Sequence, residues 1–243
     1  MVEFLPSDNR LIIGHPDERR RFFDIACSLH SRQYYDDLRR YYRTLAQRNE
    51  QIREDLRRGT HDRSLWDRPL AACGAALIRF RQQFMDGLQA QIARNAHGTR
   101  IRMAVRYHAP GLRDGDPERT LLADLQASKK REDIFHTTVT GPHRDEYLFF
   151  DGEREMKRFS SQGEIRSAVM SLKLHFVAFL AEQRALFPVL LFDDILLEMD
   201  AGNMERLLSG ITGNQLFFTS TEVPAVPFFS QFAPGFFQAT GGG

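Results

Sequence analysis

Two long segments in the first hundred residues carry apolar side chains at the spacing of an α-helix. The first follows Asp17 and ends at Gly59, and the second runs from Ser64 to near Gly98. Apolar residues recur at steps of three and four: Phe22, Ile25, Ala26, Leu29, Leu38, Tyr41, Tyr42, Leu45, Ile52 and Leu56, then Leu70, Cys73, Leu77, Phe80, Phe84, Leu88 and Ile92. Because the connection is so short, we predict an antiparallel helical hairpin.

Shorter segments on either side of the hairpin have the pattern of β-strands. Residues 1–13 alternate weakly before Pro16, a residue that favours a helix start. These strand-like residues have no partner upstream, so we expect them to be the end of a sheet domain that begins outside the sequence. Later patterns predict strands at 101–107, 135–139 and 147–150, a helix at 118–131 and a tight turn at Asp151–Gly152.

Helices and strands alternate in the last part of the chain. We predict a helix at 163–186, a strand at 189–192, a helix at 201–208 and a strand at 215–218. This order indicates an α/β fold in which parallel strands are joined by crossover helices.

Composition narrows the class of protein. The chain has 243 residues, of which 42% are hydrophobic and 27% charged, as in ordinary globular proteins. Its apolar stretches fall far short of the roughly 20 residues that span a bilayer, and no signal peptide opens the sequence. Cys27 and Cys73 lack the spacing of a zinc site or a disulfide scaffold. We therefore expect a soluble, cytoplasmic protein.

Charge is divided unevenly along the chain. Residues 1–130 hold 24 Lys and Arg against 17 Asp and Glu, whereas residues 131–243 hold 9 against 15. A basic first part favours a phosphate-backbone partner such as DNA. The alternative is a genomic bias towards arginine, or an ordinary charged surface on a helix pair, so the charge alone leaves both interpretations open.

Two adjacent carboxylates, Asp193 and Asp194, follow the apolar residues 187–192. A buried parallel strand would carry them to the carboxyl edge of the sheet, where ligands bind in such folds. In P-loop nucleotide hydrolases the first acid holds Mg²⁺ and the second orients or deprotonates the attacking water. The alternative is a helix cap or a solvated loop.

Small polar residues precede the predicted helix that leads to these acids. The segment Ser161-Gln162-Gly163-Glu164 places backbone N–H groups and the positive end of a helix dipole where a phosphate could bind. The same residues have the spacing of a capping box, so an ordinary N-cap is the alternative. The order and the distance of this segment and the two acids favour the nucleotide-binding interpretation.

Four segments together resemble the RecF family, which is related to the SMC and ABC ATPases. They are residues 4–8 with 14–24, residues 42–49 ending in Gln47-Arg48-Asn49, the string Thr140-Gly-Pro-His-Arg-Asp145, and residues 161–166 leading to 191–200. The resemblance covers the chain from its first residues to about Glu222. It implies an incomplete ABC/SMC-type P-loop ATPase lobe with an inserted α-helical lobe.

The resemblance also implies roles for individual residues. Ser161, Gln162, Gly163 and Glu164 would form the signature motif, which reaches the ATP held by a partner subunit. Asp193 would bind Mg²⁺, Asp194 would be the catalytic carboxylate, and Asp200 would lie in the D-loop at the dimer seam. Residues 218–222 would form the switch region, which has no histidine here, so that hydrolysis would be slow or depend on a residue such as Thr221.

The sequence departs from the pattern of the family in two ways. Glu164 stands where the family usually has Gln, and its negative charge should weaken triphosphate binding. No Gly-x-x-x-x-Gly-Lys-Ser/Thr loop occurs in the sequence, and we expect the chain to lack the N-terminal portion that carries it. The implied division is the end of an ATPase sub-lobe at 1–16, a helical lobe at 17–132 and a second ATPase sub-lobe at 133–243.

By the same resemblance, the complete protein would be an ATP- and Mg²⁺-dependent homodimer. It would close on single-stranded or gapped duplex DNA at the nucleoid, act with RecO and RecR, and help to load RecA, in support of replication, recombination and the SOS response. We assign the DNA contact to Arg39, Arg40 and Arg43 in the basic hairpin. His143 and Arg144 are either ligand-facing or structural, and no metal site is expected at the histidines. The rival interpretation is a non-enzymatic DNA or protein assembly module without ATP binding.

Overall fold

The computed structural model describes residues 1–60, 62–94, 102–193 and 213–219 of the chain. The helices are α1 (Arg10–Ile13), α2 (Pro16–His30), α3 (Arg32–Arg58), α4 (Ser64–Arg94), α5 (Pro117–Ala127), α6 (Lys129–Phe135), α7 (Met156–Phe159) and α8 (Gln162–Arg184). The strands are β1 (Val2–Phe4), β2 (Met103–His108), β3 (Glu146–Asp151), β4 (Arg154–Glu155), β5 (Leu190–Asp193) and β6 (Leu216–Thr219). The predicted helix at 201–208 lies outside the described residues.

A parallel sheet in the order β1-β5-β6 joins the two ends of the described chain. One ring from each strand stacks across it: Phe4 lies 4.3 Å from Phe192, which lies 4.8 Å from Phe218, between ring centroids. Helix α8 is tied to this sheet because Lys173 Nζ donates to the Glu3 carbonyl at 2.7 Å. The predicted parallel α/β arrangement is confirmed, and the opening residues contribute an edge strand.

The helical region contains three long helices, where the sequence pattern predicted two. The predicted segment 17–59 is interrupted at Ser31, whose φ of −143° and ψ of 120° are extended. Its N–H bonds to the Cys27 carbonyl and its side chain accepts from the Tyr34 N–H, so one residue ends α2 and caps α3. The prediction of one continuous run was wrong here, because periodicity does not register a one-residue break.

Helices α3 and α4 form the predicted antiparallel hairpin. Tyr34, near the start of α3, contacts Arg81 far along α4, whereas Arg48, later in α3, contacts Asp67 at the start of α4. Gly59 ends α3 in the left-handed conformation, with φ 69°. A glycine adopts this backbone without the clash that a Cβ would bring, so the reversal falls where the sequence placed it.

An antiparallel sheet in the order β2-β3-β4 packs beside the hairpin. The predicted strand at 135–139 is absent: α6 continues to Phe135, whose side chain is exposed, and the Thr138 N–H bonds to the Asn49 side chain instead of to a strand. The predicted helix 118–131 is divided at Ser128 into α5 and α6. Both differences arise from contacts with distant residues, which local patterns do not contain.

The pairing of β2 with β3 crosses the predicted boundary between residues 132 and 133. The division into 1–16, 17–132 and 133–243 therefore stays a prediction. No helix among the described residues is long and apolar enough to cross a membrane.

Candidate functional site

Asp193 is the last residue of β5 and lies at the carboxyl edge of the parallel sheet. The sequence predicted this position for it. Its Oδ1 accepts a hydrogen bond of 2.5 Å from the Thr219 hydroxyl at the end of the neighbouring strand β6. The side chain is only partly buried, so its remaining oxygen lone pairs face a site that a ligand can approach. Asp194, Asp200 and Thr221 lie outside the described residues.

A magnesium ion fits the donor atoms at this edge. Mg²⁺ prefers hard oxygen ligands and is usually held by one or two carboxylates together with substrate phosphates. Asp193 supplies such a carboxylate, and the Thr219 hydroxyl beside it is a second oxygen. No group of three or more His, Cys, Asp or Glu side chains among the described residues is arranged to hold a metal. Any ion at this edge would therefore need phosphate oxygens to complete its coordination.

The segment 161–164 forms the N-terminus of α8, and all four of its residues are exposed. Ser161 is the N-cap residue, and its hydroxyl accepts from the Glu164 N–H at 3.4 Å. The Glu164 carboxylate in turn accepts from the Ser161 N–H at 2.7 Å and from its hydroxyl at 2.9 Å. The capping box that the sequence allowed is thus formed, and these hydrogen bonds lower the pKa of the Glu164 carboxyl.

This geometry bears directly on anion binding at the helix. The open backbone N–H groups and the helix dipole favour a phosphate there, and a side chain at Gly163 would meet nothing within 4 Å. The Glu164 carboxylate, however, already occupies the hydroxyl and N–H of Ser161. No hydrogen bond or ion pair in the described part of the chain joins this segment to Asp193, so the two predicted half-sites are not brought together within one chain.

Arg39, Arg40 and Arg43 all lie exposed on α3. Arg39 and Arg43 are four residues apart and share a face, as neighbouring turns of a helix require. Arg40 is 3.8 Å from Asp37, whereas Arg39 and Arg43 form no ion pair with a described residue. The three guanidinium groups are therefore accessible to a phosphate backbone.

The string Gly141–Asp145 packs against the helical hairpin, and His143 has a structural position in it. The His143 Nε2–H donates to the Thr138 carbonyl at 3.1 Å, so Nδ1 is the acceptor for the Tyr41 hydroxyl at 2.6 Å. Burial lowers the pKa of His143 to about 4, which keeps the ring neutral at pH 7. Gly141 has φ 126°, and a Cβ there would lie 2.6 Å from the Tyr41 oxygen, so only glycine fits.

A buried arginine holds this string against α2 and α3. Arg81 Nη2 donates to Asp24 at 2.7 Å, its Nη1 to Asp145 at 3.2 Å, and its Nε to the Tyr34 hydroxyl at 3.0 Å. The Arg81 side chain is 1% exposed. Burial raises the pKa of Asp145, and the neighbouring Arg81 guanidinium opposes that rise. We call Asp24, Arg81 and Asp145 the first buried charge cluster.

A second buried charge cluster lies at the other end of the hairpin and consists of Arg48, Arg63, Asp67 and Glu132. The Glu132 carboxylate accepts from Arg48 at 2.7 Å and 3.0 Å and from Arg63 at 3.2 Å. Arg48 also donates to Asp67 at 2.9 Å and to the Thr138 hydroxyl at 2.8 Å. This cluster fixes α6 and the segment after it to the hairpin.

The sequence reasoning missed both clusters, although a signal was present. Arg81 stands within the apolar stripe of α4, between Leu77 and Phe84, and Arg48 follows Leu45 by three residues on α3. A charged residue at such a position either faces a gap in the stripe or is buried with partners. Arg48 and Asp145 also belong to the segments that resemble the RecF family, and both are internal packing residues here.

Comparison with curated proteins identifies relatives along nearly the whole chain. No family model matches it. It is 31% identical over 255 residues to the DNA replication and repair protein RecF of Bacillus velezensis, covering 99% of this chain and 68% of that protein. It is 30% identical over 246 residues to RecF of Prosthecochloris aestuarii, covering 95% of this chain and 65% of that protein. The chain thus spans about two thirds of the length of these relatives.

Solved structures agree with the sequence comparison. Two structures of the recombination mediator protein RecF of the RecFOR pathway, one with ATP and one with ATPrS, match with TM-scores of 0.83 and 0.82. Their sequences are 26% and 25% identical to this one, and the match covers 91% of this chain and 62% of each. The arrangement of helices and sheets described above is therefore that of RecF. The chain belongs to the RecF family of DNA replication and repair proteins.

Proposed function

We propose that this chain forms the signature-helix and magnesium-binding part of an ATP-dependent DNA clamp. The observation that carries the proposal is the position of Asp193 at the carboxyl end of a buried parallel strand, beside the end of β6. The complete protein closes as a homodimer on DNA at single-strand gaps, acts with RecO and RecR, and helps to load RecA. Its place in the cell is the nucleoid, in the cytoplasm.

ATP with Mg²⁺ is the proposed ligand between two subunits. Asp193 holds the ion together with phosphate oxygens, and the ion supplies charge neutralisation at the phosphates. The exposed N-terminus of α8, from Ser161 to Glu164, faces the ATP of the other subunit. Asp194 is the proposed catalytic carboxylate, and Asp200 lies in the D-loop at the seam. ATP then acts as a switch, because it makes contacts across the seam only in the closed dimer.

The test of this function is an ATP-trapped dimer. We expect Asp194→Asn, in a form of the protein that includes a phosphate-binding loop, to slow hydrolysis and to accumulate the ATP-bound dimer in light-scattering chromatography. Asp193→Asn should instead weaken ATP-dependent dimerisation, because the ion loses its protein ligand. The absence of a Gly-Lys loop from this sequence favours the rival, a non-enzymatic assembly module. An oligomeric state that does not respond to ATP in either variant would establish that rival.

We expect Glu164→Gln to strengthen ATP-dependent dimerisation about fivefold, since a close charge pair in water is worth about 1 kcal/mol. Glutamine also completes a capping box, so the stability of α8 should change by no more than about 0.5 kcal/mol. The matched control is Glu182→Gln near the other end of α8, where the carboxylate pairs with Arg94 at 3.0 Å. Equal effects of the two variants on dimerisation would show that net charge, not the helix N-terminus, is responsible.

Reversing the charge of the proposed DNA contact should weaken binding. For the triple variant Arg39→Glu, Arg40→Glu, Arg43→Glu we expect at least about a tenfold loss of affinity for gapped duplex, and a salt dependence shallower by about 2–3. The control reverses Arg53, Arg57 and Arg58 near the far end of the same helix. Fluorescence anisotropy across a salt series measures both quantities. An unchanged affinity and salt slope in a folded variant would place the DNA contact elsewhere.

A further inference from the structure

An open groove of about 1050 Å³ lies between α2 and α3. The string at Gly141–Asp145 closes one end of it through His143 and Arg144. We call it the α2–α3 groove. It exists because Ser31 breaks the helical run, so that two amphipathic helices diverge from one residue. Neither the proposed nucleotide contacts nor Arg40 and Arg43 of the proposed DNA contact line this groove.

The walls of the groove are apolar although they face solvent. Ile25 and Leu29 on α2 are 53% and 45% exposed, and Tyr35 and Tyr42 on α3 are 38% and 43% exposed. These are four of the thirteen large hydrophobic side chains exposed among the described residues. Leu38 lies between the two tyrosines at helical spacing. A cluster of this kind, with polar groups around it, is typical of an interaction surface.

The unpaired charge in the groove is positive. Arg21, Arg39 and Arg144 line it, are exposed, and form no ion pair with a described residue. Its two carboxylates, in contrast, already have partners. Asp17 pairs with Arg20 and His15, and Asp24 accepts from Arg81 and Tyr34. An occupant of the groove therefore meets an apolar floor with an arginine rim.

We propose that the α2–α3 groove binds an acidic, amphipathic helical segment of a partner protein. Such a helix places apolar side chains at positions i, i+3, i+4 and i+7 into a groove, which matches the spacing of the walls, and its carboxylates face the arginine rim. A single DNA strand fits less well. Ile25 and Leu29 offer no ring for base stacking, and the Tyr35 ring already has Arg32 and Arg39 at 5.1 Å and 5.7 Å from its centroid.

This inference goes beyond the proposed ATP and DNA functions, and its test uses residues that those functions do not use. The probe is a fluorescein-labelled peptide of about 20 residues, long enough to form a helix, with leucine on one face and glutamate elsewhere. A peptide of the same composition, with its leucines distributed around all faces, is the control. Fluorescence anisotropy with the full chain should give saturable binding of the first peptide in the micromolar range.

The double variant Ile25→Ser, Leu29→Ser should weaken peptide binding about tenfold or more, because it removes the apolar floor. The matched control is Ile134→Ser, Phe135→Ser, which removes two similarly exposed apolar side chains from α6. That control should bind the peptide like the parent chain. Both double variants should keep the DNA affinity of the parent, so a failure of the DNA proposal leaves this result readable.

Three outcomes would overturn the proposal. Equal binding of the two peptides, or no saturable binding, would mean that the groove does not recognise an amphipathic helix. Competition by an oligo(dT) strand whose own binding is lost in Ile25→Ser, Leu29→Ser would make the groove a nucleic-acid site. Self-association of the chain in sedimentation equilibrium, lost in the same variant, would identify a second copy as the occupant.

Discussion

Replacing Arg81 by methionine is expected to lower the free energy of unfolding by about 3–5 kcal/mol, because it leaves two buried carboxylates without their cation. Methionine keeps most of the side-chain volume, so a cavity contributes little. In the parent chain the guanidinium bonds to Asp24 and Asp145 and to the Tyr34 hydroxyl. Denaturant unfolding followed by circular dichroism measures the loss, and a thermal scan should show a fall of roughly 10 °C.

The control for this prediction lies two residues away on the same helix. Arg79→Met removes a guanidinium that is 51% exposed and 3.5 Å from Asp116, so a change within about 0.5 kcal/mol is expected. Adding Asp24→Asn and Asp145→Asn to Arg81→Met should recover part of the loss, because no buried charge then stays unpaired. If Arg81→Met and Arg79→Met proved equally stable, the first buried charge cluster would contribute nothing net to folding.

The second large effect is expected at the opposite end of the hairpin. Glu132→Gln should cost about 3 kcal/mol, because two buried guanidinium groups lose the carboxylate they share. The Glu132 and Arg48 side chains are both 0% exposed, and their contact is bidentate at 2.7 Å and 3.0 Å. Since Glu132 lies on α6, native-state hydrogen exchange should show the largest loss of protection in α6 and at Thr138.

The chain offers a surface counterpart of this arrangement as a control. Glu50 also accepts from two arginines, Arg53 at 2.9 Å and Arg57 at 3.1 Å, but it is 53% exposed. Glu50→Gln should therefore cost less than about 1 kcal/mol. Similar losses in Glu132→Gln and Glu50→Gln would contradict the assignment, because burial is the only feature that distinguishes the two sites in this argument.

The two clusters give a physical reason for two of the segments that resemble the RecF family. Arg48 and Asn49 bind Glu132 and Thr138, and the string at Gly141–Asp145 bonds to Arg81 and Tyr41. Both segments hold residues 136–145 against the hairpin. The same contacts place Arg144 at the mouth of the α2–α3 groove. Motifs that identify the family therefore maintain the fold around the groove, while the predicted nucleotide contacts lie on α8 and β5.

Local patterns were sufficient for much of the fold. The hairpin helices, α8 and the strands β3, β5 and β6 follow from apolar periodicity and from glycine and capping residues within each segment. Asp193 could be placed at the sheet edge because a short buried parallel strand has only one carboxyl end. The errors occurred at Ser31 and at 135–139, where a hydrogen bond to the chain overrides the local pattern.

The sequence by itself determined the helical hairpin, the parallel α/β order, the position of Asp193 and the resemblance to RecF, because each depends on residues close together in the chain. Only the tertiary structure decided which charges are buried. Arg48 and Glu132 are 84 residues apart, and Arg81 and Asp145 are 64 apart. It also decided that Glu164 binds Ser161, and that α2 and α3 enclose an apolar groove with an arginine rim. Such pairings depend on how elements pack, and periodicity within one element contains no information about its partner.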